Sequence, residues 1–158
     1  MEIIALTSAH RGEIDAFVRD EWGGPMIVSR GNLFDSGALP GFVAVEGDAL
    51  LGVVLYHMEG SDCEIALLHA LEQNRGVGTA LIRQVIATAN ERACNRVWLV
   101  TTNDNTHAIR FYQKFGLSLK AVHINSMATV RQLKPCIPAL GEDGIPILHE
   151  FEFELAIS

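Results

Sequence analysis

Two stretches of this chain carry residues whose types and spacing could do chemistry. In the first, LLHALEQNRGVGTALI (67–82), an apolar run passes into Gln73-Asn74-Arg75-Gly76-Val77-Gly78-Thr79 and then into an amphipathic pattern. The first turn of a helix leaves four backbone N–H groups without internal partners, and the helix dipole adds partial positive charge there. Both favour a phosphate group. Glycines at 76 and 78 remove the side chains that would hold a diphosphate away from those amides. Thr79 can add a hydroxyl donor, and Arg75 a charge.

Several patterns compete for this turn. A dinucleotide fold wants G-x-G-x-x-G, but position 81 is leucine. A nucleoside-triphosphate loop wants a lysine after its last glycine, and none is there. The Q/R-x-x-G-x-G/A turn that grips the pyrophosphate of coenzyme A is matched by Gln73-x-x-Gly76-x-Gly78 without a mismatch. Glycines that merely ease a strand-to-helix corner are the structural alternative.

The second stretch is WLVTTNDNTHAIRFYQKFGL (98–117). Ala108, Phe111, Tyr112 and Phe115 fall at i, i+3, i+4, i+7, so Tyr112 belongs to the inward face of a helix. A lone tyrosine in that position reads first as core packing with its hydroxyl satisfied, but here the neighbours matter. Asn105 stands at the helix start directly after a buried strand, where its amide can reach a ligand at the strand's C-terminal end.

With both stretches in view, the chain resembles the GCN5-related N-acetyltransferases. The resemblance covers roughly residues 41–124 and rests on Gln73-x-x-Gly76-x-Gly78 after a strand, and on Asn105-x-x-Ala108-x-x-Phe111-Tyr112-x-x-x-Gly116-Leu117. It implies a central mixed sheet that splays between two strands, with coenzyme A in the gap. It further implies that the backbone near Leu68 faces the pantetheine arm, that the amides from Gln73 to Thr79 hold the pyrophosphate, and that Asn105 contacts the coenzyme. The implied reaction moves an acetyl group from acetyl-coenzyme A to an amine by direct transfer in a ternary complex.

That reaction sets requirements. Only a neutral amine attacks a thioester, whereas a lysine amine titrates near ~10.4 and an α-amine near ~8. The enzyme must position the amine, accept a proton, stabilise the oxyanion and protonate the leaving sulfur. Tyr112 is the candidate acid, since its hydroxyl stays protonated where a thiolate of pKa near ~8.5 departs. Glu64 is the candidate base, acting directly or through water as in related enzymes, with a solvated strand-edge residue as the alternative. His69 reads as a histidine satisfied in the core, whereas His149 on the last strand titrates in the useful range and is a further candidate base, with a surface residue as the alternative. The acceptor side is expected from the irregular Trp22–Gly31 segment and the GEDGIPI loop, with Trp22, Arg30, Asp143, His149 and Glu150 as candidates.

The elements that would position these groups follow from periodicity and turn chemistry. A strand over 2–6 precedes a helix over 9–20 capped by Ser8, with Ile14, Phe17 and Val18 inward. Residues 21–40 read as irregular. A hairpin follows (41–45 and 49–59), then a strand at 63–71 buried on both faces. The helix from Gly76 to about Ala93 points Ala80, Leu81, Val85, Ile86 and Ala89 inward. A strand (95–102), a helix (106–115) ended by Gly116, a strand (117–124) and a brief helix (125–133) come next. The last strand, ILHEFEFELAI, alternates apolar and acidic residues and should expose one face. The expected fold class is α/β: a single domain over 1–158 with a central mixed, splayed β-sheet flanked by helices, acyl-CoA N-acyltransferase-like.

Composition narrows the classes. At 158 residues, 49% apolar and 20% charged, the chain suits one globular domain, and its net charge of -7 with no basic stripe speaks against nucleic acid. Cys63, Cys94 and Cys136 show no paired or metal-ligand spacing, so reduced thiols in a cytoplasmic protein and no metal are expected. No signal peptide and no run of about 18 apolar residues is seen. The expected partners are acetyl-CoA as co-substrate and a small-molecule or peptide amine; a homodimer stays open. The rival reading is a coenzyme-A-binding sensor or interaction module without turnover.

Overall fold

The computed structural model describes every residue except 25, 72–74 and 158, and of Glu21 and Trp22 only the backbone. Its centre is a mixed seven-stranded sheet. In spatial order the strands are β1 (Glu2–Ala5), β4 (Gly41–Glu46), β5 (Ala49–Glu59), β6 (Asp62–Ala70), β7 (Arg96–Thr102), β9 (Glu150–Ala156) and β8 (Ser118–His123). The helices are α1 (Arg11–Trp22), α2 (Val77–Glu91), α3 (Thr106–Phe115) and α4 (Met127–Leu133). Two short strands, β2 (Met26–Ser29) and β3 (Asn32–Asp35), pair with each other. The expected α/β class with a mixed sheet is therefore what forms.

Contacts group the chain into two compact units. The first contains Met1–Ile27, Phe34–Val97 and the residues from Ala156 on. Here the pairs β1–β4, β4–β5 and β5–β6 are antiparallel. Asn95 N–H, just before β7, donates to Ser61 O, just before β6, at 2.7 Å. Alternation along β5 divides the packing between two faces. Val53 and Leu55 join Ile14 and Val18 of α1, Val43 and Leu67 in one core, while Gly52 faces α2.

Two local expectations change. The first helix is not capped by Ser8: Thr7 starts a 3-10 turn over Ser8–His10, and its N–H donates to His10 Nδ1 at 3.1 Å. On α2 the buried stripe is Val77, Leu81, Ile82, Val85 and Ala89, so Ala80 and Ile86 sit at its margin. The buried face is therefore centred nearer Ile82 than Ile86.

The second unit contains Val28–Leu33 and Trp98–Leu155. β8 pairs antiparallel with β9, with a register shift between Leu119 and Ala121. Val28, Met127, Val130 and Ile147 form a small core of their own, with Ile137 against it. The stretch expected to be irregular thus holds the β2–β3 hairpin, whose turn residues Arg30 and Gly31 lie at φ 49 and 80. Positive φ at both central residues matches the right-handed twist of paired strands. The last strand begins at Glu150, leaving His149 just before it. Its acidic face is not open: Glu150 is 4% exposed, and Glu152 and Glu154 are half-buried.

Candidate functional site

In the first unit, β6 runs toward the turn that precedes α2, with Leu68 half-buried opposite Val54. Gln73 and Asn74 lie outside the described residues. Gly76 is the N-cap residue of α2, at φ 73, and no side chain caps the helix. Ala80 N–H donates to Gly76 O at 3.0 Å. The N–H groups of Val77, Gly78 and Thr79 therefore belong to the opening turn, which has no helical carbonyls to bond. A Cβ at Gly76 would meet nothing, so glycine is required there by the left-handed backbone and not by crowding.

The helix is seated by a second glycine. A Cβ on Gly52 would stand 2.6 Å from Val77 Cγ1 and 2.8 Å from His69 O. Its absence lets the first turn of α2 settle onto β5. Arg75, expected to lend charge to a phosphate, donates from Nη2 to Glu46 Oε2 at 2.7 Å, and this pair holds the Glu46 carboxyl below its ordinary range. Glu46 escaped the sequence reading because 29 positions separate it from Arg75.

Three other groups in this unit take clear places. Glu64 is 4% exposed near the start of β6, opposite His57, so it is not a solvated edge residue. His69 stacks on Phe17 with ring centroids 3.9 Å apart, in keeping with a packing role. Cys63 is buried, and burial, with Cys94 and Glu64 adding to it, pushes its thiol up to about 12. A thiol so held is a poor nucleophile at neutral pH.

In the second unit, Tyr112 is 9% exposed and packs against Phe153, ring centroids 6.0 Å apart. Burial pushes its hydroxyl up to about 12, so it stays protonated throughout the neutral range. Asn105 is the N-cap of α3: its Oδ1 accepts from Ala108 N–H at 3.4 Å, and its Nδ2 donates to Thr101 Oγ1 at 3.2 Å. Capping α3 is thus a first task of the residue expected to meet the coenzyme.

Two residues beside it were missed, although the polar run Asn103-Asp104-Asn105 after an apolar strand was a signal. Asn103 Oδ1 accepts from the N–H groups of Leu148 and His149, each at 2.9 Å, and its Nδ2 donates to Pro146 O at 2.9 Å. Asp104 is buried, accepts from Glu142 N–H at 3.2 Å, and lies so close to Gly141 that a Cβ there would fall on its carboxylate. Together they strap the 141–149 loop to the end of β7. Asp143 sits exposed within that loop at φ 54.

His149 Nδ1 accepts from Asn125 N–H at 2.8 Å. With that nitrogen accepting, a neutral ring carries its proton on Nε2. The ring can donate from Nε2 but offers no lone pair there. Arg30 Nη1 stands 3.7 Å from Glu150 Oε1, so these two of the acceptor-side candidates come together. Trp22 lies in the last turn of α1, and its side chain is outside the described residues.

Comparison with known proteins agrees with this arrangement. The sequence profile of the Acetyltransferase (GNAT) family matches residues 8–117. An uncharacterized protein of Bacillus subtilis (strain 168), YdhI, is 42% identical over 142 residues, covering 89% of this chain and 89% of its own. Among solved structures, a Bacillus subtilis acetyltransferase in complex with CoA superposes with TM-score 0.71 at 19% identity, over 99% of each chain. A GNAT family acetyltransferase from Elizabethkingia anophelis with acetyl-CoA bound gives TM-score 0.70 at 16% identity, over 99% of this chain and 97% of that one. With an uncapped, glycine-opened helix after β6, a buried tyrosine on α3 and a profile match over well over half its length, the chain belongs to the GNAT family of acetyltransferases.

Proposed function

We propose that this protein moves an acetyl group from acetyl-coenzyme A to an amine by direct attack, without a covalent enzyme intermediate. The observation that carries the reading is the opening turn of α2, where Gly76 leaves the helix without a side-chain cap. The pyrophosphate rests on the amides from Gln73 to Thr79, Leu68 offers backbone to the pantetheine arm, and Asn105 contacts the coenzyme. Crystal forms of structurally similar proteins with CoA and with acetyl-CoA support this choice of donor.

In the reaction, the neutral amine nitrogen bonds to the thioester carbon and the tetrahedral oxyanion collapses with loss of the C–S bond. The amine's proton leaves to a base, and the departing thiolate takes a proton from the Tyr112 hydroxyl. Glu64 is the proposed base, directly or through water; its burial on β6 supports it over a solvated role. Trp22, Arg30, His149 and Glu150 are assigned to the acceptor side. The Nδ1 bond of His149 favours a donor role for that ring over a basic one.

Removing His149 from the candidate bases also favours, to a lesser degree, the second reading: a module that binds the coenzyme without turnover. One experiment separates them. Titration with acetyl-coenzyme A followed by release of free thiol with a panel of amines should show binding and turnover. Tyr112→Phe should lower turnover roughly a hundredfold or more with coenzyme binding little changed. Turnover equal to the parent's removes the tyrosine from the mechanism, and binding without turnover on any amine favours the sensor. Since Tyr112 is held up at about 12, its acid form persists through the alkaline range, and the rate should not fall from loss of this proton below that pH. The corresponding stability term is intact below about 10 and is lost as pH rises through about 12, a loss that Tyr112→Phe should remove.

A further inference from the structure

The start of β9 carries a buried acid whose environment is incomplete. Glu150 is 4% exposed, and its Oε1 has no hydrogen-bond partner among the described residues. Buried carboxylate oxygens are ordinarily satisfied, and an orphaned one in a native fold calls for a ligand or a function. Arg30 Nη1 lies 3.7 Å away, close enough for charge but too far for a hydrogen bond. The two nearest histidine rings each spend one nitrogen on another partner. His123, the register partner of Glu150 on β8, turns its Nε2 to Glu152 Oε1 at 3.1 Å. His149 directs its Nδ1 to the Asn125 amide.

We propose that Glu150 is the recognition site for a primary ammonium group on the acceptor, and that Arg30 is the arm that balances its charge when the ammonium is absent. The inference rests on the reading of the acceptor as an amine and narrows it to one that arrives as a cation and gives up a proton to the base before it attacks. A carboxylate oxygen only accepts, so the missing partner is a donor. Charge then selects a cation: Arg30 reaches the Glu150 carboxylate only at ion-pair range, so a donor that also carries positive charge suits this oxygen better than a neutral one. Calcium or magnesium would seek six or more oxygens, where Glu150 offers one free oxygen. An ammonium brings three donors on one small head and fits a single orphaned acceptor.

Arg30 is built to yield. It stands at the tip of the β2–β3 hairpin, its side chain 36% exposed against 6% for Glu150, on a backbone at φ 49. An exposed arm at ion-pair range can swing to solvent when a closer donor arrives, whereas Glu150 is fixed on a strand.

The test uses the full chain labelled with nitrogen-15 and titrated with n-butylammonium chloride, with 1-butanol and matched sodium chloride as controls. Saturable shifts are expected at the amides of Arg30, Gly31, Glu150 and Phe151 with the ammonium alone. Glu150→Gln should weaken that binding roughly tenfold or more, the size of one charge-assisted hydrogen bond. An equal response to 1-butanol, no saturable response, or unchanged binding in Glu150→Gln overturns the proposal. If Glu150→Gln loses a folded spectrum, Arg30→Gln decides: removing the competitor should tighten ammonium binding, and unchanged or weaker binding refutes it. A parallel titration with acetyl-coenzyme A reads the transferase proposal separately. Loss of that binding with the ammonium shifts intact would sink the transferase reading and leave this site standing.

Discussion

The corner where β6 gives way to α2 and the strap around the end of β7 are built from different materials. The corner is made of backbone: a glycine at φ 73, an uncapped first turn, and a second glycine on β5 that lets the helix come down. The strap is made of side chains: three hydrogen bonds from Asn103 and one from Asp104 reach across 38 to 46 positions to the 141–149 loop. A backbone site has to advertise itself, because only glycine opens the required conformation and approach. A side-chain site can be assembled from residues that look ordinary where they stand.

This contrast can be broken from either side. The largest stability effect should come from Gly52→Ala, which forces a methyl against His69 O and Val77 in a packed layer. Overpacking of this kind costs about 1–3 kcal/mol, and the carbonyl cannot move aside as a flexible side chain would. Denaturant unfolding should read the loss, and coenzyme affinity should fall with it because the opening turn of α2 is displaced. If affinity is untouched, the seating of the helix does not shape the phosphate turn.

Asn103→Ala is the matching test of the strap. It leaves the Leu148 and His149 amides without their acceptor and frees the loop at Pro146. A cost of about 1–2 kcal/mol is expected, since solvent can reach part of this network. The revealing readout is the split: KM for the acceptor should rise while coenzyme affinity stays, the reverse of Gly52→Ala. A parallel fall in both would show the two regions to be one functional unit.

The smallest effect should come from Glu46→Gln, which releases Arg75 from its exposed ion pair. Coenzyme binding should tighten modestly, and the gain should shrink as salt rises, because both partners are solvated and screened. Weaker binding would mean that the glutamate orients Arg75 for the phosphate and does not compete for it.

Much of the fold could be read without coordinates. Strand alternation, the hairpin at 41–59, the α3 stripe that carries Tyr112 inward and Gly116 at its end all emerge where expected. The departures share a cause. Thr7 in place of Ser8 as the first cap, and Ile82 in place of Ile86 on the buried stripe, are shifts of one or a few positions decided by what packs alongside. The β2–β3 hairpin was hidden because its strands are four residues each, too short to display a period.

Alone, the sequence determined what a few neighbouring residues can decide by sterics: the left-handed turn at Gly76, the helix after it, and the face of α3 on which Tyr112 stands. Tertiary structure decided the state of the acids. Along β9 the alternation of phenylalanine and glutamate promised a solvated face, yet Glu150 is buried beside Arg30, a residue 120 positions earlier whose proximity leaves no local trace. Short-range sterics act within a turn or a strand, whereas the burial of a charge depends on which distant segment comes to cover it.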